Sequence, residues 1–465
     1  MRASGENLFE PISAIVGGAN TSVEAAATRN YAIGGQRPAV VAWPATADET
    51  REILRLCVKQ RLAVVVAGAG TKLGMGGPPS HYDLALVSTR MNQILEHDPG
   101  DLTLSVGGGA RLTDISKCLK AHHQFLPLSV PYESLATAGG TVSSGIDSPL
   151  RQGYGTVRDF LLGAEFVTGS SHRVKSGSSV VKSVAGYDLH KLLVGSLGTL
   201  GVISRLNFKT FPLPEVRRSI LATFGEASAA IGFAQCIAHS PLAATSLESL
   251  NATLVDLLRR GAPRSASPLP VPQLSGRASE WQVAVGFGGS EAVFRRFRND
   301  AEGMAREWGA TDSLLLDDEA TAGVWERLVE AVPLLLDSSP AATLVHAGVL
   351  PSQLSTACAA AESSAKRHQL PVALLARAVG AIYIAFLPDA LNPETILRLA
   401  QAVDETAEAI LAMQGHWSLP WCPEDLRKRT RLRGDERPDL GLMGKVKQVF
   451  DPENILSPGR FAGGL

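Results

Sequence analysis

Apolar and polar positions along the chain fall into two textures that meet near residue 214. In the first, short strand-like runs alternate with helical spacing and end in glycines. Pro38-Ala-Val-Val-Ala-Trp-Pro44 reads as a short strand bounded by prolines. Thr46-Ala-Asp-Glu49 places a hydroxyl at a helix N-cap and a carboxylate three residues on, a capping box. Ile53, Leu56 and Cys57 follow at helical spacing. Leu62-Ala-Val-Val-Val-Ala67 is a continuous apolar run of strand length, and it feeds directly into Gly68-Ala-Gly-Thr-Lys-Leu-Gly-Met-Gly-Gly77. Leu102-Thr-Leu-Ser-Val106 alternates like a half-buried strand, ends in Gly107-Gly-Gly109, and precedes a helix predicted at 113–121. Residues 131–159 are loop-rich, residues 160–167 and 200–211 read as strands, and Pro212 and Pro214 close the region.

The second texture, residues 215–415, alternates strand and helix signals with few glycine clusters. Within it, 261–279 is rich in Pro and Ser and reads as a mobile loop. The pattern therefore predicts four segments: a helical prelude at 1–37, a glycine-rich domain at 38–214, a second domain at 215–415, and a tail at 416–465.

Composition narrows the function. The chain has 465 residues, with 44 Lys+Arg against 45 Asp+Glu, a net charge of −1. A near-neutral chain has no long-range field for a polyanion, which argues against nucleic-acid binding. Hydrophobic residues make up 45% and charged residues 19%, a globular composition. The five cysteines, Cys57, Cys118, Cys236, Cys358 and Cys422, form no C-x-x-C motif. This points to a reduced chain with no iron–sulfur or metal site of its own. The first seven residues lack a basic-apolar signal pattern, and no apolar run reaches the length of a membrane span. A cytoplasmic location is expected, with any membrane association peripheral and through partners.

The glycine clusters carry the chemistry. A glycine-rich loop after a buried strand lets backbone N–H groups approach phosphate oxygens closely. The loop at 68–77 is not a Walker A sequence, because no Gly-Lys-Ser/Thr ends it. Nor is it the dinucleotide fingerprint, since Leu73 stands where the third glycine belongs. Four such clusters in one segment suggest one long, phosphate-bearing ligand lying across the domain.

The order of these motifs resembles the FAD-binding domain of the PCMH-type, vanillyl-alcohol oxidase superfamily. The elements that carry the resemblance are Ala67-Gly-Ala-Gly-Thr-Lys72, Asp101-Leu-Thr-Leu-Ser-Val106, Pro131, Ala138-Gly-Gly140, Val157-Arg-Asp-Phe-Leu-Leu-Gly163, Val181-Lys-Ser-Val-Ala-Gly-Tyr-Asp-Leu189, Gly195-Ser-Leu-Gly-Thr-Leu-Gly-Val-Ile203 and Ser457-Pro-Gly-Arg460. Within the superfamily, the chain is most similar to the GlcE-type FAD-binding subunits of glycolate oxidase. The resemblance implies an α+β fold: a PCMH-type FAD-binding domain of two α/β subdomains and an α+β cap domain with an antiparallel sheet. It implies that Gly68, Ala69, Gly70, Thr71, Lys72 and Leu73 meet the FAD pyrophosphate. Pro131, Thr137, Gly139, Gly140 and Ser143 would line the flavin and its ribityl arm, Arg158 would order that loop, and Val202 and Ile203 would meet the adenosine end. FAD is expected to be non-covalent, because Ala69, Gly70 and Thr71 stand where relatives with a histidyl–flavin bond carry His.

In this family a hydride passes to the flavin from a carbon bearing a hydroxyl. Arg or Lys would hold a substrate carboxylate, and His or Tyr would act on the hydroxyl. His346, Arg377 and Tyr383 are the candidates, with Arg377 and Tyr383 spaced to share a face if one strand carries both. The expected substrate is a small 2-hydroxy acid such as glycolate or D-lactate, with electrons leaving to a partner, a quinone or oxygen. The chain lacks the Gly-His-x-Gly-Asp-Gly-Asn-x-His type segment of the catalytic relatives, and Leu197 replaces the acid of their Gly-Ser-Glu-Gly-Thr pattern. This leaves open a relay subunit working beside a second flavoprotein subunit and an iron–sulfur subunit, or a stand-alone oxidase for another alcohol.

Overall fold

The computed structural model describes residues 5–180, 186–261, 274, 280–430 and 439–465. The sequence features at Lys182 and most of the 261–279 loop lie outside the described residues. The chain divides into two compact units. Unit 1 comprises Met1–Asp147, Thr156–Leu213 and Gly434–Leu465; unit 2 comprises Ser148–Gly155 and Pro214–Arg433.

Unit 1 holds two main sheets. The first contains β1 (Thr21–Ser22), β2 (Val40–Ala42), β3 (Val64–Ala67) and β4 (Leu84–Val87) in the order β1-β2-β4-β3. β2, β4 and β3 run parallel, and the prelude supplies β1 as an antiparallel edge. β2 and β4 are buried along their whole length, which is why they read as unbroken apolar runs. The helix Ala47–Gln60 links β2 to β3 and buries Thr50, Ile53, Leu54 and Cys57. Its cap is half a box: Thr46 Oγ1 accepts from Glu49 N, but the Glu49 carboxylate accepts from Ala45 N, one residue before the N-cap.

The second sheet contains β5 (Ile94–Asp98), β6 (Thr103–Gly107), β8 (Leu161–Val167), β9 (Arg173–Gly177) and β10 (Val202–Lys209), in the order β5-β6-β10-β8-β9 and antiparallel throughout. A small ribbon pairs β7 (Gln124–Phe125) with β11 (Phe211–Pro212). His190, 2% exposed, lies beneath β9. Its Nδ1 is 3.0 Å from Ser176 Oγ, and its backbone N–H donates to the same oxygen. Burial pushes the imidazole pKa below its ordinary value, partly opposed by Asp188. The folded chain therefore prefers the neutral ring, and the unfolded chain takes up the proton first as pH falls. Stability from this site is full above about pH 6.5 and is lost as pH drops below it toward the lowered folded value. We expect Tm to fall more steeply between about pH 7 and 5 for the native chain than for His190→Gln. Parallel curves would remove this ring as a source of acid sensitivity.

Unit 2 is built on one eight-stranded antiparallel sheet. Its strands are β12 (Val216–Phe224), β13 (Ser246–Leu250), β14 (Trp281–Gly289), β15 (Asp312–Leu316), β16 (Thr343–Gly348), β17 (Val372–Arg377), β18 (Ala381–Phe386) and β19 (His416–Trp421). Their order is β15-β12-β14-β13-β17-β18-β16-β19. One face packs against the helices Ala227–His239, Glu291–Glu307, Leu354–Arg367 and Pro393–Ala412, with Phe224, Phe233, Leu374 and Ile384 at the centre of the layer. The other face is covered in part by the helices Ala252–Arg260, Asp318–Val329 and Ala331–Ser338.

Two segments lie elsewhere than the sequence pattern suggests. Residues 148–155 cluster with unit 2, where Gly153 N donates to Thr245 O. Residues 416–433 also stay in unit 2, because β19 forms the edge of the large sheet beside β16. Pro420 is tolerated there because an edge strand has no second neighbour that would need the N–H proline lacks.

Candidate functional site

Unit 1 contains an open cleft at the end of β3, walled by residues 66–73 with Thr137, Gly140, Ser143, Ser144, Leu197 and Arg460. The loop that follows β3 turns at Gly70, whose φ of +78° is open to glycine and strained for other residues. Gly68 is glycine for a different reason: a Cβ there would sit 2.1 Å from Thr137 Oγ1. The first cluster therefore brings two protein segments together as well as forming a loop. Thr137 caps the short helix Ala138–Ser144 through a bond from Gly140 N.

The polar groups of the cleft suit an anion. The backbone N–H groups of Ala69, Gly70 and Thr71 donate to no acceptor among the described residues. Lys72 Nζ donates to Pro131 O at 3.0 Å and lies 3.4 Å from Thr71 Oγ1. Arg460 Nη2 donates to the carbonyls of Leu73 and Met75 at 2.8 and 2.6 Å. No Asp, Glu, His or Cys stands among the residues lining the cleft. Consecutive unengaged amides beside two cations, with no opposing carboxylate, fit a diphosphate.

Of the cofactor positions expected from sequence, Gly68, Ala69, Gly70, Thr71, Lys72, Leu73, Thr137, Gly140 and Ser143 line this cleft. Pro131 touches it only through Lys72. Gly139 is buried, and its N–H is engaged by Gly108 O. Val202 and Ile203 are buried in β10, paired with Val167 and Phe166, and stand outside the cleft lining. Arg158 is exposed on the one-turn helix Val157–Phe160, whose capping box joins Thr156 and Asp159, so it does not reach the cleft. The spacing of the motif is explained there by a helix cap.

The three residues expected to do chemistry meet on one face of the unit 2 sheet. His346 on β16 stands opposite Tyr383 on β18, with ring centroids 4.6 Å apart. The Arg377 guanidinium lies 5.2 Å from the Tyr383 ring centre. Arg377 and Tyr383 do not share a strand. β17 ends at Arg377, Gly380 turns the chain at φ +93°, and β18 brings Tyr383 back beside it. Arg377 is also not a bare cation. Its Nε donates to Glu248 Oε1 at 2.8 Å, with Arg377 5% exposed and Glu248 fully buried on β13. Trp325 Nε1 donates to Ser219 Oγ on the same sheet.

Comparison with known proteins agrees with both units. The FAD binding domain family matches residues 38–177, and the family of FAD linked oxidases, C-terminal domain, matches 213–419 and 426–461, more than half of the chain. The chain belongs to the FAD-linked oxidases. It is thus an FAD-dependent oxidoreductase with a PCMH-type α+β fold. This FAD-linked oxidase is similar to glycolate oxidase subunit GlcD of Bacillus subtilis (strain 168), at 26% identity over 438 residues, which cover 91% of this chain and 88% of that one. It is similar to glycolate oxidase subunit GlcE of Escherichia coli (strain K12), at 35% identity over 170 residues, or 36% of this chain and 48% of that one. A D-lactate dehydrogenase of Anaerostipes hadrus is 28% identical over 65% of both chains. In fold the oxidase is similar to p-cresol methylhydroxylase, with a TM-score of 0.77 at 16% identity over 98% of this chain and 96% of that one. It is also similar to alkyldihydroxyacetonephosphate synthase, with a TM-score of 0.73 at 16% identity over 95% and 82%.

The sequence pattern gave no role to three residues that these sites contain. Arg460 was visible only as the end of a tail motif, 387 positions from Leu73. Leu197 lines the cleft at φ +53°. Glu248 had no clear signal, because it stands in the mixed run Ser-Leu-Glu-Ser-Leu, 246–250, where an acid is unremarkable until the strand proves buried. Among the described residues, no helix is long and apolar enough to cross a membrane.

Proposed function

We propose that this FAD-linked oxidase, alone or as a component of a complex, oxidises the CH–OH group of a small 2-hydroxy acid such as glycolate or D-lactate. The observation that carries the reading is the convergence of Arg377, Tyr383 and His346 on one sheet face of unit 2, in a chain whose unit 1 offers a diphosphate-binding cleft. When bound, FAD supplies a hydride acceptor at N5. Everything else falls to the chain. The amides of Ala69, Gly70 and Thr71, with Lys72, would hold the diphosphate. Arg377 would orient a substrate carboxylate, its plane fixed by Glu248 and the Tyr383 ring. His346 would take the hydroxyl proton, with Tyr383 beside it.

A second reading is a relay subunit that holds FAD but depends on a second flavoprotein subunit and an iron–sulfur subunit. The similarity to GlcE supports it, as does the missing His segment of the catalytic relatives. Anaerobic mixing decides between the two. Loss of the flavin band at about 450 nm on adding glycolate or D-lactate is expected of the enzyme. An unbleached band, together with partners that co-purify, would replace the first reading by the second. Bleaching only by sugars or polyols would move the substrate to another alcohol.

A further inference from the structure

Residues 455–460 return to unit 1 and close one side of the cofactor cleft. Val64 N donates to Ile455 O and Ser457 N donates to Val64 O, each at 2.7 Å, so the segment adds a parallel bridge beside the start of β3. Arg460 then reaches the far end of the loop that follows β3. Its side chain bonds the carbonyls of Leu73 and Met75, its own carbonyl accepts from Gly77 N at 3.0 Å, and Ser80 N donates to Pro458 O. Arg460 is 3% exposed and lines the same cleft as the unengaged amides of Ala69, Gly70 and Thr71.

We propose that Arg460 is a positioning residue for the flavin cofactor, shaping the 68–77 loop to receive the diphosphate and placing a fixed positive charge beside it. The inference rests on the diphosphate reading of the cleft. A guanidinium suits the task because one terminal nitrogen, Nη2, reaches both carbonyls from the end of a long side chain while the group stays charged at any working pH. Pinning Leu73 and Met75 fixes the loop after Gly70, so the free amides keep their arrangement before the ligand arrives. An ammonium in place of the guanidinium would keep the charge but sit one bond short of Nη2, weakening its hold on both carbonyls.

The probes are FAD, ADP and riboflavin, titrated into the flavin-free full chain by calorimetry. For Arg460→Met we expect FAD and ADP to bind at least about tenfold more weakly, as loss of a charge-assisted contact implies. Riboflavin, which has no diphosphate, should change less than about twofold on the same argument. The salt dependence of ADP binding should also flatten relative to the native chain. Equal weakening of all three ligands would show a purely structural role and overturn the proposal, as would unchanged ADP binding. Arg460→Lys carries the test if the methionine variant does not fold. Weaker ADP binding at a native Tm is expected of it, and native ADP affinity would overturn the proposal. Ala69→Pro separates the two levels by removing one free N–H without touching Arg460. If it weakens ADP binding and Arg460→Met does not, only the present proposal falls. If neither does, the diphosphate reading of the cleft falls with it.

Discussion

Lys447→Met should lower the stability of unit 1 by about 3–5 kcal/mol, the usual result of removing one partner of a buried ion pair. Lys447 lies on the helix Leu440–Phe450 and is 6% exposed. Its ammonium donates to Thr199 O at 2.9 Å, to Leu456 O at 2.7 Å and to Asp451. Asp451, 1% exposed, also accepts from the amides of Ile455 and Leu456. Burial lowers the Lys447 pKa, with Asp451 opposing that effect. Without the lysine, a buried carboxylate keeps only its backbone donors, and two carbonyls lose theirs. The expected Tm loss is on the order of 10 °C for a unit of this size. Asp451→Asn should also destabilise, because both carboxylate oxygens accept from N–H donors, so the amide NH2 would face one of them and Lys447 would lose its counter-charge. A Tm within a degree of native for Lys447→Met would show that water replaces the lysine without cost.

Glu248→Ala should be comparably severe in unit 2, again by about 3–5 kcal/mol, since it leaves Arg377 charged and buried without its carboxylate. The informative control is the double variant Glu248→Leu with Arg377→Met. Replacing both charges by apolar side chains should recover most of the stability while abolishing any role in substrate binding. If the double variant is as unstable as the sum of the single changes, the pair contributes through other contacts. Hydrogen exchange along β13 and β17 places the effect, because their register sets Glu248 opposite Arg377.

Local signals were the legible part of this chain. The run into Gly68, the Thr46 cap and the strand at 103–107 all depend on neighbours within a few residues, and periodicity reads such neighbours directly. The cap shows the limit of that method: Thr46 bonds as the motif requires, while Glu49 reaches back one residue too far to complete the box. Arg377 and Tyr383 meet because a three-residue turn folds one strand onto the next, whereas spacing alone put them on one face only if a single strand carried both. Gly380 was the missed cue, since short loops with glycine at positive φ mark hairpins. The pairing of Glu248 with Arg377 spans 129 positions, and the clasp of Arg460 on Leu73 spans 387. No local pattern encodes contacts at such separations; they follow from sheet order. The edge position of β19 was hidden for the same reason: it depends on β16, some seventy residues earlier.

The clasp of residues 455–460 on β3 also sets a timetable. Leu73 leaves the ribosome 387 positions before Arg460. At about 5–20 residues per second, the glycine loop waits roughly 20–80 s for the segment that pins it. The whole of unit 2 is translated in that interval. The pinned loop is therefore completed only after unit 2 has been made, and a nascent chain stalled within unit 2 would lack the bonds from Arg460 to Leu73 and Met75.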